Sequence, residues 1–193
     1  SGLAVDTNGE TAVEGLFAAG DCATVSGGIS GAAVLGHIAG EGVVQRIRAT
    51  PGALPEVDRR TLDDVRARSA AHLQQQDGLP WKAFEDSTRQ TVSDYVGVRR
   101  DDRGLKLALD TLHALAKRES TLKADDLHGL MRVHEANNIR MNAEIMATAS
   151  LARQETRTGS SHFRMDYPQT DDANWRKFVI VERGANGPVT RTL

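Results

Sequence analysis

The sequence predicts a mainly α chain: a three-helix up-down bundle that follows the last strand and helix of an α/β unit and ends in a short extended β tail. Three observations carry this. Apolar residues recur at helical spacing over residues 84–97, 102–118 and 124–156, with short connections between them. Upstream, Gly15 to Ala19 is an apolar run bounded by glycines, followed by a glycine-rich loop and a further apolar stripe. Beyond Thr158-Gly159 the helical period stops, and residues 175–182 and 189–193 read as two strands around a Gly/Asn/Pro turn.

Each element follows from its residues. Gly2 to Asp6 and Thr11 to Val13 are extended, with a turn at Thr7-Asn8-Gly9. Gly15 to Ala19 reads as a buried strand that stops at Gly20-Asp21. Ser30 is the expected N-cap of the next helix, whose stripe is Ala32, Ala33, Val34, Ile38, Val43, Val44 and Ile47. Gly36, Gly40 and Gly42 each weaken that helix by about 1 kcal/mol relative to Ala, which points to another backbone or a ligand lying close. Residues 50–55 (TPGALP) form a boundary, and a polar helix follows at about 58–76. Asp102 and Asp125 are the expected N-caps in the bundle. Its core stripes are Leu105, Leu109, Leu112 and Leu115, then Leu127, Leu130, Met131, Ile139, Ala143, Met146 and Ala147. The expected division is 1–50 for the α/β piece, 51–83 for a linker and helix, 84–158 for the bundle and 159–193 for the tail.

Composition narrows the function. The 193 residues are 39% hydrophobic and 26% charged, ordinary for a folded chain and against wholesale disorder. Aromatics are only 4%, so the core must be built of Ala, Leu and Val. With 24 basic and 26 acidic side chains there is no electrostatic case for nucleic acid as a partner. The single Cys22 excludes an internal disulfide and a cysteine zinc site, and it fits a reducing, cytoplasmic setting. No apolar run approaches the roughly 20 residues of a membrane span. The chain opens at Ser1 in mid-pattern, so an upstream portion is expected.

Two segments carry chemistry. In TAVEGLFAAGD (Thr11 to Asp21), Gly20 lets a backbone approach a cofactor and Asp21 can accept hydrogen bonds from sugar hydroxyls. Free N–H groups near Gly28, Ile29 and Ser30 would then face a ligand with the positive end of a helix dipole. From strand, Gly and Asp alone, a plain turn residue is an equally good reading of Asp21. The second segment is RQETRTGSSHFRMDYPQTDDANW (Arg153 to Trp175). Arg153, Glu155 and Arg157 at a helix end read first as an ion-pair network. His162 and Arg164 are the better catalytic candidates, a pair able to orient or charge-balance a dicarboxylate or a reduced flavin.

GLFAAGD with SGAAVLGHIAGEGV resembles the closing FAD-binding segment of the succinate dehydrogenase and fumarate reductase flavoprotein superfamily, which includes aspartate oxidase and the adenylylsulfate reductase alpha subunit. The second segment resembles that family's R-x-E-[ST]-R-G-x-H-x-R-x-D-[FY]-P…D-D-x-N-W stretch, with the two matches in family order. The resemblance implies that residues 1–50 close an α/β FAD-binding domain and that FAD is the cofactor. It implies that Asp21 holds the ribityl chain and that the N–H groups near Gly28, Ile29 and Ser30 contact the flavin ring. It further implies a missing N-terminal FAD-binding portion, an iron–sulfur subunit as partner, a small-molecule substrate, and attachment to a membrane only through a partner.

The sequence departs from the family in two places. Residues 25–31 (VSGGISG) lack the arginine of the family's H-G-A-N-R-L-G loop, which argues against fumarate or succinate as substrate. The G-x-G-x-x-G fingerprint is absent, so this chain supplies one side of a flavin site. His134-Glu135 lacks the second histidine of a zinc helix, and the remaining histidines are isolated. The reading is therefore the C-terminal part of an FAD-dependent oxidoreductase. The alternative is a non-catalytic helical module for subunit docking.

Overall fold

The computed structural model describes residues 2–23, 27–52, 56–157, 161–185 and 187–193. It divides into two compact units, Ser1–Val57 and Asp58–Leu193.

The first unit is one long helix with an irregular chain folded onto it. Helix α1 spans Gly28–Ala49. Its N-cap is Gly27, three residues before the expected Ser30, which lies inside the first turn. Gly27 and Gly28 both have positive φ, which admits the sharp entry that a Ser cap would not need. The expected strand at Gly15–Ala19 forms only one bridge, Glu10 with Phe17. Two further single bridges, Leu3–Ala23 and Val5–Thr11, complete the ladder contacts of this unit. Tight local turns explain this. Asp6 Oδ1 accepts from Asn8 N and Glu10 N, and Glu10 Oε1 accepts from Gly15 N, so each opposing segment reverses after a single pair. Of the three helix glycines, only Gly42 meets a close backbone: a Cβ there would lie 2.4 Å from the Asn8 carbonyl oxygen, while Gly36 and Gly40 face open space.

The second unit begins with α2 (Arg59–Ala70), whose N-cap Asp58 accepts from Arg60 N and Thr61 N. A 3-10 turn, Ala71–Gln74, follows. The bundle is α3 (Trp81–Thr91), α4 (Asp102–Ala116) and α5 (Leu127–Ala152). A π turn at Val92–Val96 extends α3. Each cap sits one residue away from the sequence expectation. Asp101 rather than Asp102 accepts from Gly104 N, and Asp126 rather than Asp125 accepts from Gly129 N, both at 2.7 Å. In a paired acid the cap must hold extended backbone, so the other falls outside that role: Asp102 is already helical and pairs with Lys106.

Two parallel two-residue ladders brace the bundle ends. Strand β1 (Leu79–Pro80), before α3, pairs with β3 (Leu122–Lys123), before α5. Strand β2 (Arg99–Arg100), before α4, pairs with β4 (Phe163–Arg164), after α5. The core has two clusters. Phe84, Leu115, Leu122, Ala124, Val133 and Ala136 form one, and Val96, Leu105, Ala108 and Ala147 the other. The α4 stripe is as the spacing implies, with Leu105, Leu112 and Leu115 buried. The α5 stripe is only partly so. Of that stripe Ala143 and Ala147 are buried and Leu130 packs on the core, but Leu127, Met131 and Met146 are exposed, and the helix also buries Val133, Ala136, Arg140, Glu144 and Ser150. Small residues let α5 approach its neighbours closely, and an ion cluster fills the remaining space. Arg140 bonds Glu144 at 2.6 Å and also pairs with Glu119, while His113 Nε2 lies 3.0 Å from Glu144.

The tail holds a short helical turn, α6 (Asp172–Trp175), capped by Asp171, so Trp175 is not in a strand. An antiparallel hairpin of β5 (Val179–Gly184) and β6 (Gly187–Thr192) closes the chain, in register from Val179↔Thr192 to Gly184↔Gly187. Residues 24–26 of the glycine-rich loop, 159–160 of the spacer and Asn186 of the turn lie outside the described residues.

Candidate functional site

In the first unit, Gly20 to Cys22 form a 3-10 turn. Gly20 has φ +74°, and a Cβ there would lie 3.5 Å from Ala32 Cβ, so the turn rests on the first turns of α1. The structure thus brings Gly20 and Asp21 to the same end of α1 as Gly28, Ile29 and Ser30. Asp21 is exposed, and among the described residues its carboxylate makes no hydrogen bond or ion pair. The helix start has no side-chain cap and no acidic residue in its first turn. Among the described residues, the N–H groups of Gly28, Ile29 and Ser30 therefore remain open donors at the positive end of a 22-residue helix. Ile29 is 91% exposed. These residues fit a flavin edge: donors for an electron-rich ring, and a free carboxylate nearby for a hydroxylated chain.

In the second unit, Glu155 is fully buried. Its Oε1 accepts from Arg153 Nη1 (2.5 Å) and Arg157 Nε (2.8 Å), and its Oε2 from Arg157 Nη2 and Asp171 N (2.9 Å each). Burial alone would raise this carboxyl. Hydrogen bonds from Arg157, the Asp171 backbone and Arg153 outweigh it and hold the group at about 2. Arg157 also reaches Asp172 Oδ1 at 2.7 Å and is held above its ordinary value by its bonds to both acids.

Arg164 is also fully buried. Its Nη1 donates to the carbonyls of Ser150, Leu151 and Arg153, closing the C-terminal end of α5. Nε and Nη2 grip Asp166 at 2.8 and 2.7 Å, a two-pronged pair that holds the acid below its usual range. Thr156 Oγ1 accepts from Arg164 N. His162 follows Ser161, the one non-glycine with positive φ among the described residues (+56°). Its Nε2 is buried without a hydrogen-bond partner among the described residues. Burial, then the charges of Arg100, Arg153 and Arg164, lower its basicity; a hydrogen bond to the Arg153 backbone opposes them. His162 and Arg164 are two residues apart on one strand and belong to a different compact unit from Asp21.

Sequence reasoning missed Arg100, which is nine-tenths buried against this segment. No motif or spacing marks it in the sequence, and the β2–β4 pairing turns it inward. Among the described residues no group of three His, Cys, Asp or Glu is arranged for a metal, and no helix is long and apolar enough to cross a membrane.

Known proteins share this architecture. Residues 85–191 match the family model described as fumarate reductase flavoprotein C-term. The chain is 29% identical to the fumarate reductase flavoprotein subunit of Haemophilus influenzae, covering 96% of this chain and 33% of that protein. It is 32% identical to the succinate dehydrogenase flavoprotein subunit of Coxiella burnetii, over 94% of this chain and 33% of that one. The solved adenylylsulfate reductase of Archaeoglobus fulgidus superposes with a TM-score of 0.86 at 26% identity, over 97% of this chain and 33% of that one. The chain thus spans about a third of the length of the curated relatives it matches. With more than half of its residues matching the family model and its helices superposing on solved relatives, the chain belongs to the fumarate reductase flavoprotein C-terminal family.

Proposed function

We propose that this chain is the C-terminal part of an FAD-dependent oxidoreductase and supplies one side of its flavin site. The observation that carries this is the N-terminus of α1, where among the described residues neither the first three N–H groups nor the Asp21 carboxylate at the same helix end has a partner. When bound, FAD supplies hydride transfer to or from a small-molecule substrate. Asp21 accepts from hydroxyls of the ribityl chain. The N–H groups of Gly28, Ile29 and Ser30 stabilise negative charge on the reduced ring. His162, buried and of lowered basicity, is the catalytic candidate of the second unit. Arg164 acts through position, because its guanidinium is taken up by the α5 end and Asp166.

The partners that follow are the N-terminal FAD-binding portion and an iron–sulfur subunit. The setting is cytoplasmic, with any membrane contact made through a partner. Asp21→Ala in the full-length protein tests the cofactor assignment. Flavin should be lost on dialysis at least several-fold faster than from the parent, since one charge-assisted hydrogen bond is worth roughly 1.5–3 kcal/mol. Unchanged flavin retention would remove Asp21 from the site.

A further inference from the structure

We propose that Arg100 is the positioning residue of His162: its guanidinium ties the end of α5 to the residue before His162 and so presents the imidazole with one nitrogen uncommitted. Arg100 Nη1 donates to Ser150 Oγ at 2.5 Å, and Nη2 donates to the Ser161 carbonyl at 3.0 Å. The main chain adds a second clasp. Phe163 N donates to Val98 O, and Met165 N to Arg100 O. Backbone and side chain of one residue thus bracket His162 on both sides. Ser161, held by its carbonyl, has the left-handed backbone that a serine rarely adopts, at φ +56°. That conformation turns the chain so that His162 enters the buried layer.

The choice of arginine needs a reason. Arg100 is 8% exposed and, among the described residues, pairs with no carboxylate; its Nε has no partner at all. Glu155 and Asp166, the nearby acids, are committed to Arg153, Arg157 and Arg164. A buried, unpaired cation is expensive, and a neutral side chain could link two oxygens at less cost. What only a cation provides is an electrostatic effect on its neighbour. The charges that face the His162 ring are Arg100, Arg153 and Arg164, all positive, and they favour the uncharged imidazole. Arg100 therefore fixes where the ring sits and adds to burial, the larger cause, in favouring its uncharged form.

That His162 faces substrate rests on the reading above; the role of Arg100 does not, and it is testable without flavin. The experiment is NMR of the ring nitrogens of His162 in the 193-residue chain, titrated with pH, for the parent, Arg100→Met and Arg100→Lys. With Met, the titration midpoint of His162 should move upward. With Lys, which keeps the charge but cannot span Ser150 and Ser161 together, the midpoint should stay low while the ring-nitrogen shifts move as the ring loses its fixed setting. A fall in melting temperature for Arg100→Met with an unmoved His162 midpoint would reduce Arg100 to a structural tie and overturn the proposal. If Arg100→Met does not fold, the lysine variant decides alone: an unchanged His162 spectrum overturns it. Loss of flavin binding in Asp21→Ala bears on the other unit and leaves these outcomes untouched.

Discussion

Replacing Glu155 by Gln keeps the shape of the side chain and removes its charge. Both oxygens of Glu155 accept two donors each, from Arg153, Arg157 and the Asp171 backbone. An amide can present only one oxygen, so either orientation leaves two buried donors facing an NH₂ group. The size of the loss follows from linkage. A carboxyl held at about 2 in the folded chain, against an ordinary value of 4.5, contributes roughly 3 kcal/mol at neutral pH. That is a large share of the roughly 5–15 kcal/mol of a typical domain. The sign sets the pH window. Because the folded value is depressed, the contribution is fully present above pH 4.5 and lost as pH falls from there toward 2. Urea unfolding followed by circular dichroism should show Glu155→Gln about 3 kcal/mol less stable at pH 7. The gap between parent and variant should close progressively below pH 4.5. A gap under about 1 kcal/mol at pH 7, or one that does not narrow in acid, would refute the idea that this carboxylate anchors the tail.

Two further predictions concern the helices. In α1, Gly36→Ala and Gly40→Ala should each raise stability by up to about 1 kcal/mol, since an added Cβ meets nothing. Gly42→Ala should lower it, because that Cβ would press on the Asn8 carbonyl; thermal melts of the three variants give the signs, and the same sign for all three would be a failure. In the bundle, Asp126→Ala should cost about 1 kcal/mol and Asp125→Ala much less, as only the first caps α5. Equal losses in urea titrations would mean that the cap is shared.

The mainly α architecture was legible because α4 places Leu105, Leu112 and Leu115 at clean helical spacing. The α5 face was legible only in part. Its large apolar residues, Leu127, Met131 and Met146, point outward, and alanines, Arg140 and Glu144 point in. A pattern that weights side chains by size takes in Ala143 and Ala147 of this face but misses Ala136, Arg140 and Glu144. The caps were off by one at each Asp-Asp pair because sequence does not say which acid keeps extended backbone. In the first unit, the Gly20-Asp21 turn and the helix start were legible as a pair; the absence of a cap at Gly27 is a matter of backbone angles. In the second, Arg153, Glu155 and Arg157 announced their mutual pairing by proximity. Arg100 could not, since its partners Ser150 and Ser161 lie 50 and 61 residues away.

The short ladders at the ends of the bundle also constrain the order of folding. The pair β2–β4 joins Arg99 to Phe163 across α4 and α5. Closing so long a loop costs entropy before any contact repays it, which places this step late. During synthesis, α3, α4 and most of α5 can collapse on local contacts, but the start of α4 cannot be locked until Met165 has left the ribosome and bonded the Arg100 carbonyl. A chain stalled before that point would hold assembled helices with an unclasped end. The His162 strand is thus a bolt that the nascent protein slides home only after its three bundle helices are made.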